Sequence, residues 1–185
     1  MTAMIPTAHH GPWTEEEYLA LGEDNDRIEL FDGDLHVTAS PSPWHQRVCR
    51  KLATSLEEGA EDRGLHVHWA VNLRLKPSRI VIPDLAITTV IDFDERVVPG
   101  SSAVLVCEVT SPSNAATDKV LKMHYYAEAG IPWYLIVEHN TFALRLFRLQ
   151  GGTYVERHTA EPGEVLRLIE PVTAEIRPES LLPPR

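Results

Sequence analysis

Two carboxylates interrupt apolar runs of this chain: Asp84 in RIVIPDLAITT and Glu108 in SSAVLVCEVTS. A buried carboxylate without a partner costs several kcal/mol, so each needs a cation, hydrogen bonds or a metal. If the runs are adjacent strands, the two acids converge. With a backbone carbonyl and waters they then make a hard oxygen site suited to Mg²⁺ or Mn²⁺. The competing arrangement pairs each acid separately with an arginine, or leaves it at a strand end; spacing alone leaves both open. Other chemistries lack their motifs. No lysine follows a glycine, and no GxGxxG, HExxH or GxSxG occurs, which sets aside phosphate-loop, dinucleotide, zinc-peptidase and serine-hydrolase readings.

The flanking elements must position these acids. Thr14 and Glu17 form a capping box that opens a short helix, and Gly22 ends it. RIELF and DLHV flank Asp32-Gly33 as a tight hairpin. A helix over 44–63 carries Val48, Leu52 and Leu56 as one apolar stripe. Alternation from Leu65 to Lys76 predicts one half-buried strand, with His66 and His68 on its polar face. The Asp84 and Glu108 runs predict central strands covered on both faces, each with its acid in the middle. NAATDKVLKMHYYAEAG predicts a helix capped by Thr117 or Asn114 and stopped at Gly130. Three further strands and a weak one (EVLRLIE) lead into a Pro-rich tail expected to be a loop.

This order predicts one α/β domain over 1–185, a mixed central β-sheet flanked by helices, with a core of about 14–170. A chain of 185 residues can bury roughly 70% of the surface its unfolded form exposes. No apolar run reaches the ~18 residues that cross a bilayer. The N-terminus has no secretory pattern, and Cys49 and Cys107 form no disulfide or zinc framework, so the expectation is a cytoplasmic protein without a membrane partner. The net charge of −10 disfavours nucleic acid, but its distribution is uneven. Residues 1–40 hold nine acids against Arg27 alone, whereas residues 41–83 hold seven bases against four acids.

Pro83-Asp84, followed 24 residues later by Glu108, resembles the PD-(D/E)xK nuclease superfamily. More specifically, the chain resembles the Uma family of restriction-endonuclease-like proteins. The matching stretches are RIELFDGDL, SPSPWHQRV, IVIPDLAI, LVCEVTSPSN and TDKVLKMHYYAEAGIPWYLIV, in family order over about Thr14 to Glu138. One position departs: the superfamily lysine two residues after the glutamate is Thr110 here, and Lys122 on the next helix matches the place to which the Uma-type variant moves it.

The resemblance implies a restriction-endonuclease-like fold and a divalent-metal-dependent endonuclease acting on DNA. Asp84, Glu108 and the Val109 carbonyl would hold Mg²⁺ or Mn²⁺, Lys122 would be the catalytic lysine, and Glu29 an optional fourth member. Lys119 is the nearest competitor of Lys122, and an Asp118–Lys122 pair on a solvated face is the plainer reading of that helix. Glu29 is otherwise an acid on the solvent face of an edge strand. His45 and Gln46 either face the cleft or only cap their helix. Tyr126 reads as a packing aromatic, Cys107 as a small core residue. The rival readings are a catalytically silent module serving as a binding scaffold or homodimer, and a metal-free acid/base pair of carboxylates.

Overall fold

The structure is a computed structural model that describes residues 11–22, 27–38, 40–110 and 117–183, without the side chains of 117–119. Thr14 and Glu17 close their capping box on α1 (Glu15–Ala20). Next come β1 (Arg27–Phe31), β2 (Asp34–Thr38) and α2 (Pro43–Glu61). Asp32 and Gly33 take φ of 53° and 100° between the two strands, as a primed turn requires. The middle of the chain holds β3 (His66–Trp69), β4 (Leu73–Lys76), β5 (Arg79–Val81), β6 (Leu85–Thr88), β7 (Val98–Pro99) and β8 (Ala103–Val109). After α3 (Thr117–Glu128) come β9 (Trp133–Val137), β10 (Leu144–Gln150), β11 (Thr153–Ala160), β12 (Leu166–Leu168), β13 (Ala174–Ile176) and α4 (Pro178–Leu181).

Two larger sheets form where one central sheet was expected. The first runs β2-β1-β5-β4-β7, the second β11-β10-β9-β8-β6-β3, and β12 pairs with β13 in a small third sheet. The division arises because both long runs bend. The Leu65–Lys76 alternation breaks after Trp69, where Ala70 adopts a φ of 47°, a conformation costly for an L-residue with a Cβ. The Asp84 run breaks at Ile82-Pro83-Asp84 between β5 and β6. Pro83 has no N–H to give a ladder. Each run therefore begins or ends in one sheet and continues in the other. Asp84 consequently sits at a junction between the two sheets and not at mid-strand, and Glu108 is the penultimate residue of β8.

Layers follow from the apolar faces. Val48, Leu52 and Leu56 of α2 pack on Leu85, Leu105, Cys107 and Leu135 of the second sheet. On its other face, Val106, Tyr134 and Ile136 meet Tyr125 and Tyr126 of α3 and Leu73 and Val81 of the first sheet. Tyr18 of α1 covers Ile28, Leu30 and Ile80 on the outside. The tail is ordered structure and not the loop expected: Leu166, Val172, Ile176 and Leu181 join the core beneath α2, because its apolar residues alternate across the β12–β13 hairpin. Helix and hairpin touch backbone to backbone at Gly59, where a Cβ would lie 2.0 Å from the Thr173 carbonyl oxygen. No helix among the described residues is long and apolar enough to cross a membrane.

Candidate active site

Glu29, on β1, is 1% exposed and so does not face solvent. Its Oε1 accepts the Ile82 N–H at 2.6 Å and lies 2.9 Å from the Lys122 ammonium. Lys122 enters from α3, buried to 5% exposure, and stands 3.5 Å from Glu108 Oε1. One helical turn on, the Tyr126 hydroxyl donates to the same Glu108 oxygen at 2.6 Å. No hydrogen bond from the described residues reaches Glu108 Oε2. The plain reading of Lys122 as a solvated lysine is thus set aside by its burial, and Tyr126 is a polar partner as well as a packing ring.

Asp84 joins through the backbone beside Glu108: its Oδ2 accepts the Val109 N–H at 2.7 Å. Its Oδ1 meets Arg27 Nη1 at 2.5 Å and His45 Nε2 at 3.1 Å. Arg27 also donates to the Ile82 carbonyl, so it ties β1 to the bend that carries Asp84. His45 follows the N-cap Ser42, which receives the His45 N–H at 3.2 Å. His45 therefore does more than start α2; its ring reaches Asp84. Cys49, one turn further along, completes a trio in which the His45, Cys49 and Asp84 ligand atoms lie within 4.8 Å of one another.

The electrostatics separate the two acids. Burial works to raise the Asp84 pKa, but the His45 hydrogen bond and the Arg27 charge outweigh it and hold the group well below the usual carboxylate range. Burial pushes Glu108 up to about 7; Lys122 opposes the rise, and the charges of Asp84 and Glu29 add to it. Burial disfavours the Lys122 ammonium, yet Glu108 and Glu29 overcome this and keep its pKa above the ordinary value. Three carboxylates, Glu29 and Asp84 buried and Glu108 half-buried, thus face the buried Lys122 and the half-buried Arg27, and the acids outnumber the cations. Glu108 offers a hard oxygen donor, whereas the His45–Cys49–Asp84 side mixes oxygen, nitrogen and sulfur, with Arg27 already on the shared carboxylate oxygen.

Several expectations resolve differently. Thr110 is turned away from the acids: its hydroxyl accepts the His139 N–H at 3.0 Å, and its own N–H bonds Val137. His66 and His68 do share a face, but they pack on Phe93, and His68 Nε2 meets Thr88 Oγ1 at 2.9 Å. Cys107 is fully buried core, as expected. Gln46 is exposed on the rim of a cleft. The side chains of Asp118 and Lys119, and Asn114 as a cap, lie outside the described residues. Arg27 was missed altogether, although it stands two residues before Glu29 on one strand and so shares its face. Trp69, at an apolar position of the Leu65–Lys76 alternation, is nevertheless 53% exposed and lines the cleft.

Comparisons with known proteins agree with this architecture. A crystal structure described as a putative nuclease belonging to DUF820 from Anabaena variabilis superposes with a TM-score of 0.71 at 13% identity, covering 92% of this chain and 97% of that one. It shares the fold, which is restriction-endonuclease-like as expected. No curated protein matches. The Uma2 family, described as "Putative restriction endonuclease", matches residues 15–179, a span that takes in every side chain of the cluster around Glu108 and Asp84. The chain belongs to the Uma2 family.

Proposed function

We propose that the protein is a divalent-metal-dependent endonuclease that hydrolyses phosphodiester bonds in DNA. The observation that carries this reading is the buried Lys122 ammonium, 2.9 Å from Glu29 and 3.5 Å from Glu108, in a cluster whose acids outnumber its cations. The residues fit a divalent ion: among the described residues one Glu108 carboxylate oxygen has no hydrogen-bond partner, burial first and the Asp84 and Glu29 charges next raise its pKa, and Asp84 adjoins through the Val109 N–H. Asp84, Glu108 and the Val109 carbonyl would hold Mg²⁺ or Mn²⁺, which when bound lowers the pKa of a water and polarises the phosphate.

The chain's own groups do the rest. Lys122 orients the attacking water or neutralises charge on the phosphorane. Glu29 anchors that ammonium through its carboxylate, itself held by the Ile82 N–H, and so acts as a positioning residue and not as a ligand. Tyr126 fixes one Glu108 oxygen, and no hydrogen bond from the described residues reaches the other. Arg27 pairs with Asp84 Oδ1, so an ion held by that oxygen would share its lone pairs with the guanidinium.

Incubation of purified protein with DNA and RNA, with Mg²⁺, Mn²⁺ or EDTA, tests the reading. Metal-dependent cleavage of DNA that Asp84→Asn removes is the expected result; activity that survives EDTA overturns it. A second reading, a nuclease-fold module without catalysis, is favoured by one observation: both Asp84 oxygens already have partners. It predicts no Mn²⁺ binding by calorimetry.

A further inference from the structure

A cleft of about 520 Å³ opens from Asp84 to the surface, and its walls differ sharply from the acidic cluster behind it. Arg27, Arg47 and Arg50 line it, with Asp84 as its one carboxylate. Arg47 and Arg50 are three residues apart on α2 and share a face. Opposite them stands Trp69, 53% exposed on the edge strand β3, held where Ala70 breaks the strand and donates its N–H to the Asp84 carbonyl at 3.3 Å. A large exposed indole beside arginines, in a chain of net charge −10, is a local reversal of the protein's overall surface. The cleft has the size of a small-molecule site, about 300–1,000 Å³, and the Asp84 side chain at its floor is only 3% exposed.

We infer that this cleft is a single-strand DNA subsite, in which an unpaired base stacks on Trp69 and the flanking phosphates lie against Arg47 and Arg50. The inference rests on the nuclease reading for its substrate and adds the strand state. Stacking on an aromatic face is open only to an unpaired base and tolerates any base. The arginines supply the sequence-independent attraction to the backbone. Trp69 is accordingly a specificity-determining residue, and the enzyme acts on single-stranded, frayed or flapped DNA.

The test is fluorescence anisotropy in EDTA, so that nothing is cut, with an end-labelled single-stranded DNA oligonucleotide and its blunt duplex. Wild-type protein should prefer the single strand. Trp69→Ala should weaken single-strand binding by roughly 5- to 150-fold, the range of one base–aromatic stack, and leave duplex binding unchanged. Trp69→Phe should restore most of the affinity, and Ile169→Ala, a more exposed apolar position elsewhere, should change nothing. Equal single-strand binding by wild type and Trp69→Ala overturns the proposal, as does a preference for the duplex. Single-stranded RNA bound as tightly as DNA, with the same dependence on Trp69, overturns the DNA assignment. The two readings fail separately. Trp69-dependent binding without metal-dependent cleavage keeps this subsite and removes the nuclease, whereas cleavage indifferent to Trp69 does the reverse.

Discussion

The β1–β2 hairpin and helix α3 each contribute to two charged clusters, and the two are built on opposite plans. At one, Arg79 is 4% exposed, pairs with Asp32 and Glu128, and lies with its guanidinium carbon 3.5 Å above the Tyr125 ring. Lys76 adds a second contact to Asp32 at 3.1 Å. Two cations meet two anions there, and the carboxylate side chains are 44% and 47% exposed. At the other, both signs are enclosed: Glu29, Asp84 and Lys122 are buried, Glu108 and Arg27 half-buried, and the three acids outnumber Arg27 and Lys122 by one group. The first cluster is balanced, so it holds the β1–β2 turn, β5 and α3 together. The second is unbalanced and enclosed, so it is poised to take up positive charge. Burial of charge is common to both; whether the acids share that burial, and whether they are balanced, separates structure from chemistry.

The largest expected effect is catalytic. Asp84→Asn should reduce metal-dependent cleavage about 1,000-fold or more, because metal assistance supplies several kcal/mol of transition-state stabilisation. It should also abolish the rise in melting temperature that Mn²⁺ gives the wild type. The corresponding Asp32→Asn change should do neither, and if it does, the contrast between the clusters fails.

Next is Lys122→Met. Removing the cation strands two carboxylates, and the expected loss is about 3–5 kcal/mol in urea unfolding, the usual cost of breaking a buried pair. Lys122→Ala is therefore a poor test of catalysis alone. Adding Glu29→Gln and Glu108→Gln should recover most of the stability but none of the cleavage. Arg79→Met should cost less, about 2 kcal/mol, because the carboxylates it leaves are half in water.

The smallest effect concerns pH. The Arg79 hydrogen bond lowers the Asp32 pKa, and the same contact lowers that of Glu128. A carboxylate depressed in the folded state gives stability above its unfolded pKa of about 4, and that stability fades as the pH falls through the folded value. Melting temperatures should therefore drop below about pH 4, and Asp32→Asn should flatten the drop. Asparagine tolerates the positive φ of that turn, so the backbone is spared. An unchanged acid limb in Asp32→Asn would show that the balanced cluster contributes little.

Much of this organisation was legible before any coordinates. Asp84 and Glu108 betray themselves because carboxylates are costly in apolar runs, and the α2 stripe and the Asp32-Gly33 turn follow directly from side-chain period and φ requirements. The division into two sheets was not legible. Alternation persists through Ala70 regardless of whether the strand stays in one sheet, so it carries no sign of that bend; in the Asp84 run only Pro83, which cannot donate to a ladder, marks the break. The pairing of Glu29 with Lys122 was hidden for a related reason. Strand period places Glu29 on a face but does not say what covers that face, and only the packing of α3 answers that. The alternative that an acid pairs with an arginine applies to Asp84, through Arg27, and not to Glu108.

The cluster draws on residues from Arg27 to Lys122, carried by β1, α2, the β5–β6 bend, β8 and α3. During synthesis, a nascent chain that has not yet released α3 from the ribosome holds the acids but not the lysine that partly offsets them. Such a chain cannot close the cluster, and carboxylates that repel one another disfavour its early collapse. The final helix of the set thus completes the cluster last: it reduces the surplus of acid without ending it, and in the same step it brings the ammonium beside Glu29 and Glu108.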